Sequence, residues 1–168
     1  MIISKVVIEN YRNFSSFEME LKKFTLIIGE NNIGKTNLLN ALGLIFSQEI
    51  TFYKKRQLEI DDINYNAVDK LRTDIVDATI QTKDIKFPSV KVEVILEGFS
   101  GNADQEGIVG DWFIDKDLKQ AKLTYLFCIR KDLTKWVEIQ REKIKKLNAK
   151  ENESSSDFFN RKKALVDY

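Results

Sequence analysis

A chain of 168 residues that is 43% apolar, with 11 Phe, can bury the core of one domain, or of one domain plus an extension. Its net charge of +1 supplies no global basic field, so any DNA contact must rest on a local patch. The absence of His excludes imidazole metal ligands and His general-base chemistry, and the single Cys128 excludes an internal disulfide and fits a reducing compartment.

In chain order, the first predicted element is a strand over Ile2 to Glu9, with Ile3, Val6 and Ile8 interleaved among polar positions. Met1 leads straight into this pattern without a basic stretch and apolar run of the signal-peptide kind. Asn10 to Ser16 reads as a turn, and Phe17, Met19 and Leu21 alternate in a second strand, so an antiparallel pair is expected. Phe24 to Ile28 is a continuous apolar run, the pattern of a strand buried on both faces, and it ends at Gly29. From Thr36 to Phe46, apolar residues such as Leu38, Leu39, Ala41, Leu42 and Ile45 predict a helix with a wide buried face.

Beyond Thr51 the signals weaken, with an acidic Glu59-Ile60-Asp61-Asp62 and a short helix over Asn64 to Val76. Pro88 precedes a strand over Val90 to Leu96, and Gly98 to Gly110, with four glycines, reads as a loop. A strand over Lys122 to Ile129 follows, with Trp112-Phe113-Ile114 between the two, so an antiparallel sheet is expected beside the strand, loop and helix of the first half. Leu133 to Leu147 is an amphipathic helix whose stripe of Leu133, Trp136, Val137, Ile144 and Leu147 is expected to dock on that sheet or to meet another protomer. Its Lys143, Lys145 and Lys146, with Lys150, form either a solvated face or a DNA-facing patch. Asn148 to Asp157 is polar and Ser-rich, a linker by composition. No apolar run approaches the roughly 18 residues of a membrane span, and the expected location is the cytoplasm.

One motif carries chemistry. Gly29-Glu30-Asn31-Asn32-Ile33-Gly34-Lys35-Thr36 matches G-x-x-x-x-G-K-[ST], between an apolar run and an apolar helix as that motif requires. Glycines let the backbone wrap a phosphate, main-chain N–H groups point inward, and the helix start adds its positive dipole end. Lys35 is the cation for the β- and γ-phosphates of ATP, and the Thr36 hydroxyl is the ligand for Mg²⁺. Arg12 stands between two strands ahead of this loop, either near the nucleotide or as a surface turn arginine. Tyr11 is a candidate for stacking on adenine or a partly buried turn aromatic, and Asp61 and Asp62 are either near Mg²⁺ or solvated acids.

Ile8-Glu9-Asn10-Tyr11-Arg12-Asn13-Phe14, followed by Ile27 to Leu42 with the asparagines Asn31 and Asn37 in and after the loop, resembles the amino-terminal half of the RecF, SMC and OLD (overcoming lysogenization defect) group of ABC-type ATPases. The specific motifs cover roughly the first 45 residues, and the later strands resemble the OLD pattern in spacing. The resemblance implies an α/β P-loop fold with an antiparallel β-subdomain over about 88–132 inside a lobe of residues 1–132, then a helix and linker over 133–168. It implies that Arg12 contacts ATP, with Asn31, Asn32, Ile33 and Asn37 completing the site. It also implies an ATPase that dimerises or assembles further around ATP and acts with DNA, in antiphage defence or repair, with a nuclease domain in OLD proteins. OLD rather than SMC is favoured because no long heptad arm follows the loop.

Three family features do not occur in these residues. There is no apolar run ending in Asp-Glu, no Leu-Ser-Gly-Gly-like segment and no switch histidine; the Q-loop glutamine could be Gln81 or Gln105. The expectation is therefore a chain that binds ATP with little turnover by itself, as the amino-terminal part of a longer protein or with the missing parts on another chain. A rival is a regulatory subunit that binds nucleotide as a switch without hydrolysis. A nucleoside kinase is disfavoured because the Gly98 to Gly110 loop holds no arginine for a lid.

Overall fold

The computed structural model describes residues 1–31, 33–46, 58–99, 103–117, 119–129, 132–150 and 153–166, and they divide into two compact units. The first unit takes residues 1–64 and 89–127; the second takes 65–88 and 128–168. The expected division near residue 132 thus differs from the observed one, because 65–88 sort with the carboxy-terminal residues.

The first unit is built on a four-stranded antiparallel sheet. Its strands are β1 (Ile2–Tyr11), β2 (Phe14–Glu20), β3 (Val90–Glu97) and β4 (Ala121–Phe127), in the order β2-β1-β3-β4. Alternation decides which face is buried: Val6 and Ile8 of β1 face inward beside Val90, Val92, Val94 and Leu96 of β3. Ile3 shares that face although it is three residues from Val6, because the β1–β3 register shifts between Ile3 and Lys5. Ser4 is the extra residue, and its hydroxyl donates to the Ile95 carbonyl at 3.3 Å.

The opposite face is polar. Lys5 pairs with Glu18 at 2.6 Å, and Lys91 bridges Glu9 at 2.8 Å and Glu93 at 3.3 Å. Burial opposes ionisation of Glu93, but hydrogen bonds from Lys91 and Lys122 outweigh it and hold the carboxyl below its usual range.

Helix α1 (Lys35–Phe46) lies against β3 and β4 and buries Leu38, Ala41 and Leu44. The run Phe24 to Ile28 ahead of it does not form the expected strand. Phe24 and Ile28 are each 83% exposed and Leu26 is 69% exposed. A strand buried on both faces needs strand neighbours and two covering layers, and none of the described residues supplies them.

The expected loop over 98–110 contains helix α3 (Ala103–Val109), followed by a 3-10 turn over Gly110–Trp112. Val109 explains it: the side chain is buried with Leu96 and Ala121, so a polar segment is held by one apolar anchor. Phe99 and Phe113 meet edge to face at 4.9 Å beside that cluster.

The second unit is helical. Helix α2 (Tyr65–Val76) packs with α4 (Thr134–Lys145) and α5 (Ser155–Ala164) around Leu71, Ile75, Ile85, Val137, Ile144 and Val166. The apolar stripe of α4 is therefore seated on α2, where the sheet had been the expected partner, and Trp136 packs on Phe87 with centroids 5.8 Å apart. Arg141 donates to the carbonyls of Ile75 at 3.0 Å, near the end of α2, and of Asp77 at 3.0 Å and Ile80 at 2.8 Å in the turn beyond it. Part of the expected 148–157 linker is helical from Ser155, where the Ser154 hydroxyl caps the Asp157 N–H at 3.0 Å. Among the described residues no helix is long and apolar enough to cross a membrane.

Candidate nucleotide site

The loop between Gly29 and α1 closes on itself through its lysine. Lys35, the first residue of α1, donates from Nζ to the Gly29 carbonyl and to the Glu30 carbonyl at 2.5 Å. Gly34 is buried with φ 113°, a conformation that L side chains rarely adopt, and a Cβ there would overlap the Asn13 amide. Gly29 is tight in a milder way: a Cβ would stand 3.1 Å from Ile33 Cγ2. Asn31, Ile33 and Thr36 are exposed, and the expected site residue Asn32 lies outside the described residues.

The β1–β2 turn reaches this loop through a chain of side chains. Asn13 Nδ2 donates to the Ile33 carbonyl at 3.2 Å, and Asn37 Nδ2 donates to Asn13 Oδ1 at 2.8 Å. Arg12 Nη1 in turn donates to Asn37 Oδ1 at 3.0 Å, and Arg12 Nε to Asp62 Oδ1 at 2.9 Å. The turn is tight because Asn10 and Arg12 both have left-handed φ, at 54° and 48°. Arg12 thus sits beside the first turn of α1, which the bare spacing of the sequence left open against an isolated surface arginine.

Other candidates separate. Tyr11 is fully buried, with the Arg12 guanidinium 5.3 Å from its ring centroid, so it belongs to the core and is not placed to stack on a base. Asp61 is exposed, whereas Asp62 is buried and paired with Arg12. Gln81 is exposed ahead of the Thr82–Asp84 turn of the second unit; Gln105 falls in α3, its side chain outside the described residues. Among the described residues no three Asp, Glu or Cys side chains cluster as metal ligands.

Sequence reasoning missed Asn13, Asn64 and the pairing of Asp62. Asn64 Nδ2 donates to the Arg12 carbonyl at 2.7 Å, yet 52 residues separate the two and no local pattern announces the contact. Asn13 carried a signal, since it directly follows Arg12 in the turn.

Comparison with known proteins places the chain among ATPases. The model of the AAA ATPase domain matches residues 1–167. The DNA replication and repair protein RecF of Rickettsia canadensis is 40% identical over 47 residues, which cover 27% of this chain and 13% of RecF. RecF of Bacillus thuringiensis is 46% identical over 43 residues, 25% of this chain and 12% of the relative. Endonuclease GajA of Bacillus cereus is 42% identical over 50 residues, 30% of this chain and 9% of GajA. The matched stretch thus spans about an eighth or less of these relatives. An α/β chain with a four-stranded antiparallel sheet fits a P-loop NTPase. By the match along nearly its whole length, the chain belongs to the AAA ATPase domain family.

Proposed function

We propose that residues 29–36 bind ATP with Mg²⁺, and that the chain is the ATP-binding part of an OLD-like, ABC-type ATPase coupled to DNA transactions in antiphage defence or repair. One observation carries the nucleotide reading: at the start of α1 the hydrogen-bonded chain Arg12–Asn37–Asn13 ties the β1–β2 turn to the Ile33 carbonyl next to left-handed Gly34, while Lys35 separately holds the Gly29 and Glu30 carbonyls of the same loop. Family membership supports ATP as the nucleotide, and the names of RecF and GajA, a repair protein and an endonuclease, support the DNA setting.

The residues present fit a triphosphate. The Lys35 ammonium rests on loop carbonyls, partners weaker than phosphate oxygens, so an incoming phosphate can recruit it. Gly34 keeps the loop backbone clear of side chain where it turns into α1. Gly29 opens that loop, and Asn31, Asn32, Ile33 and Asn37 complete the proposed contact surface. Mg²⁺, when bound, screens phosphate charge, and the exposed Thr36 hydroxyl is the side chain that would hold it. Dimeric or larger assembly is part of the same proposal for the whole protein.

Lys35→Ala tests the site. It removes the ammonium while cutting only bonds to two loop carbonyls, so far-ultraviolet circular dichroism should be unchanged. Calorimetric titration with Mg-ATP should show affinity lowered about a hundredfold or more. Unchanged affinity in the folded variant would refute the assignment.

A further inference from the structure

We infer that Asp62 is a positioning residue that aims the Arg12 guanidinium at the nucleotide, an inference that rests on the ATP-binding reading above. A guanidinium carries five N–H donors in one plane, so fixing two of its nitrogens sets the direction of the third. Arg12 Nε is held by Asp62 Oδ1 at 2.9 Å and Nη1 by Asn37 Oδ1 at 3.0 Å. Among the described residues Nη2 makes no hydrogen bond, and the Arg12 side chain is 28% exposed. Two edges are anchored and the third is available to an anion beside α1.

The anchor is itself immobilised. Asp62 Oδ2 accepts from the Glu59 N–H at 3.2 Å, and the Asp62 side chain is 13% exposed. The same short segment grips the Arg12 backbone: Arg12 N–H donates to the Asp62 carbonyl at 2.8 Å, and Asn64 N–H donates to the Asn10 carbonyl at 2.9 Å. Left-handed φ at an arginine is strained and persists only where surrounding bonds over-determine it. Residues 62–64 supply those bonds for main chain and side chain together. A purely structural ion pair would not need to hold one arginine by its backbone, its Nε and a separate Nη at the edge of the phosphate loop.

A double-mutant cycle read by Mg-ATP titration of the full chain tests this. Asp62→Ala and Arg12→Ala should each weaken binding about tenfold, and the double variant should match Arg12→Ala alone. Asp62→Asn keeps an oxygen acceptor for Nε without the charge and should stay within about threefold of wild type. A full tenfold loss from Asp62→Ala on the Arg12→Ala background, or none on the wild-type background, overturns the role. Should Asp62→Ala not fold, Asp62→Glu, which displaces the carboxylate by one methylene, carries the same test in both backgrounds. Wild-type binding that Lys35→Ala abolishes keeps the ATP reading intact whichever way the cycle falls, whereas a wild-type chain that binds no ATP overturns both.

Discussion

A methyl group at residue 34 meets two independent obstacles. The backbone stands at φ 113°, where a Cβ collides with its own chain, and the space that Cβ would fill is taken by Asn13. Gly34→Ala should therefore lower stability by about 1–3 kcal/mol and push Asn13 off the Ile33 carbonyl, weakening the tie between turn and loop. Gly29→Ala should cost less, since its φ is not in the left-handed region and the nearest obstacle is the movable Ile33 side chain. Chemical denaturation of the two variants checks the order, and equal stabilities would contradict it. At this scale the sequence was readable where chemistry is local. Gly29, Gly34, Lys35 and Thr36 stand out by spacing, whereas Arg12 stands out only through the resemblance of its turn to the RecF, SMC and OLD group. The Arg12–Asp62 pair joins residues 50 apart and has no local signature, so Asp62 read only as one of two loop acids.

Elements were legible where one face is buried and the alternation is long enough to see. Val90, Val92, Val94 and Leu96 mark β3 residue by residue, and the odd spacing of Ile3 from Val6 already contained the register shift at Ser4. Helix α3 was not legible, because its burial rests on Val109 among glycines and polar residues. Phe24 to Ile28 shows the converse case, in which a strong strand pattern lacks partners among the described residues. That difference has a measurable consequence for this chain. Leu26→Ser alters a side chain that is 69% exposed and should change unfolding free energy by less than about 0.5 kcal/mol. Ile75→Ala empties a position that is 1% exposed in the helical core and should cost about 2–5 kcal/mol. Thermal unfolding of both, followed by circular dichroism, separates them; a large loss from Leu26→Ser would mean that the run is packed in solution.

At the scale of the molecule, the division into units explains why the carboxy-terminal helix was misplaced by sequence reasoning. An amphipathic stripe specifies that a helix must be covered and leaves the cover unspecified. The cover for α4 is α2, whose own apolar face of Leu71 and Ile75 was a weak signal in a polar stretch. Catalytic capacity is a question at the same scale. Hydrolysis requires a residue that orients water against the γ-phosphate, and the chain has no apolar run ending in Asp-Glu to supply one. Of the two acids of the Ile60–Asp62 3-10 turn, Asp62 is engaged with Arg12 and the Glu59 N–H, which leaves Asp61, exposed on the same turn. We therefore expect Mg-ATP turnover by these 168 residues to stay at background while binding is retained. Phosphate release measured at saturating ATP, beside Lys35→Ala, checks it. Robust release that Lys35→Ala removes and Asp61→Asn also removes would identify Asp61 as the water-orienting acid. Release that survives Asp61→Asn but requires Lys35 would point instead to a carboxylate elsewhere in the chain. Background release with intact binding is the outcome expected of a nucleotide-binding part whose water-orienting acid is supplied by other residues.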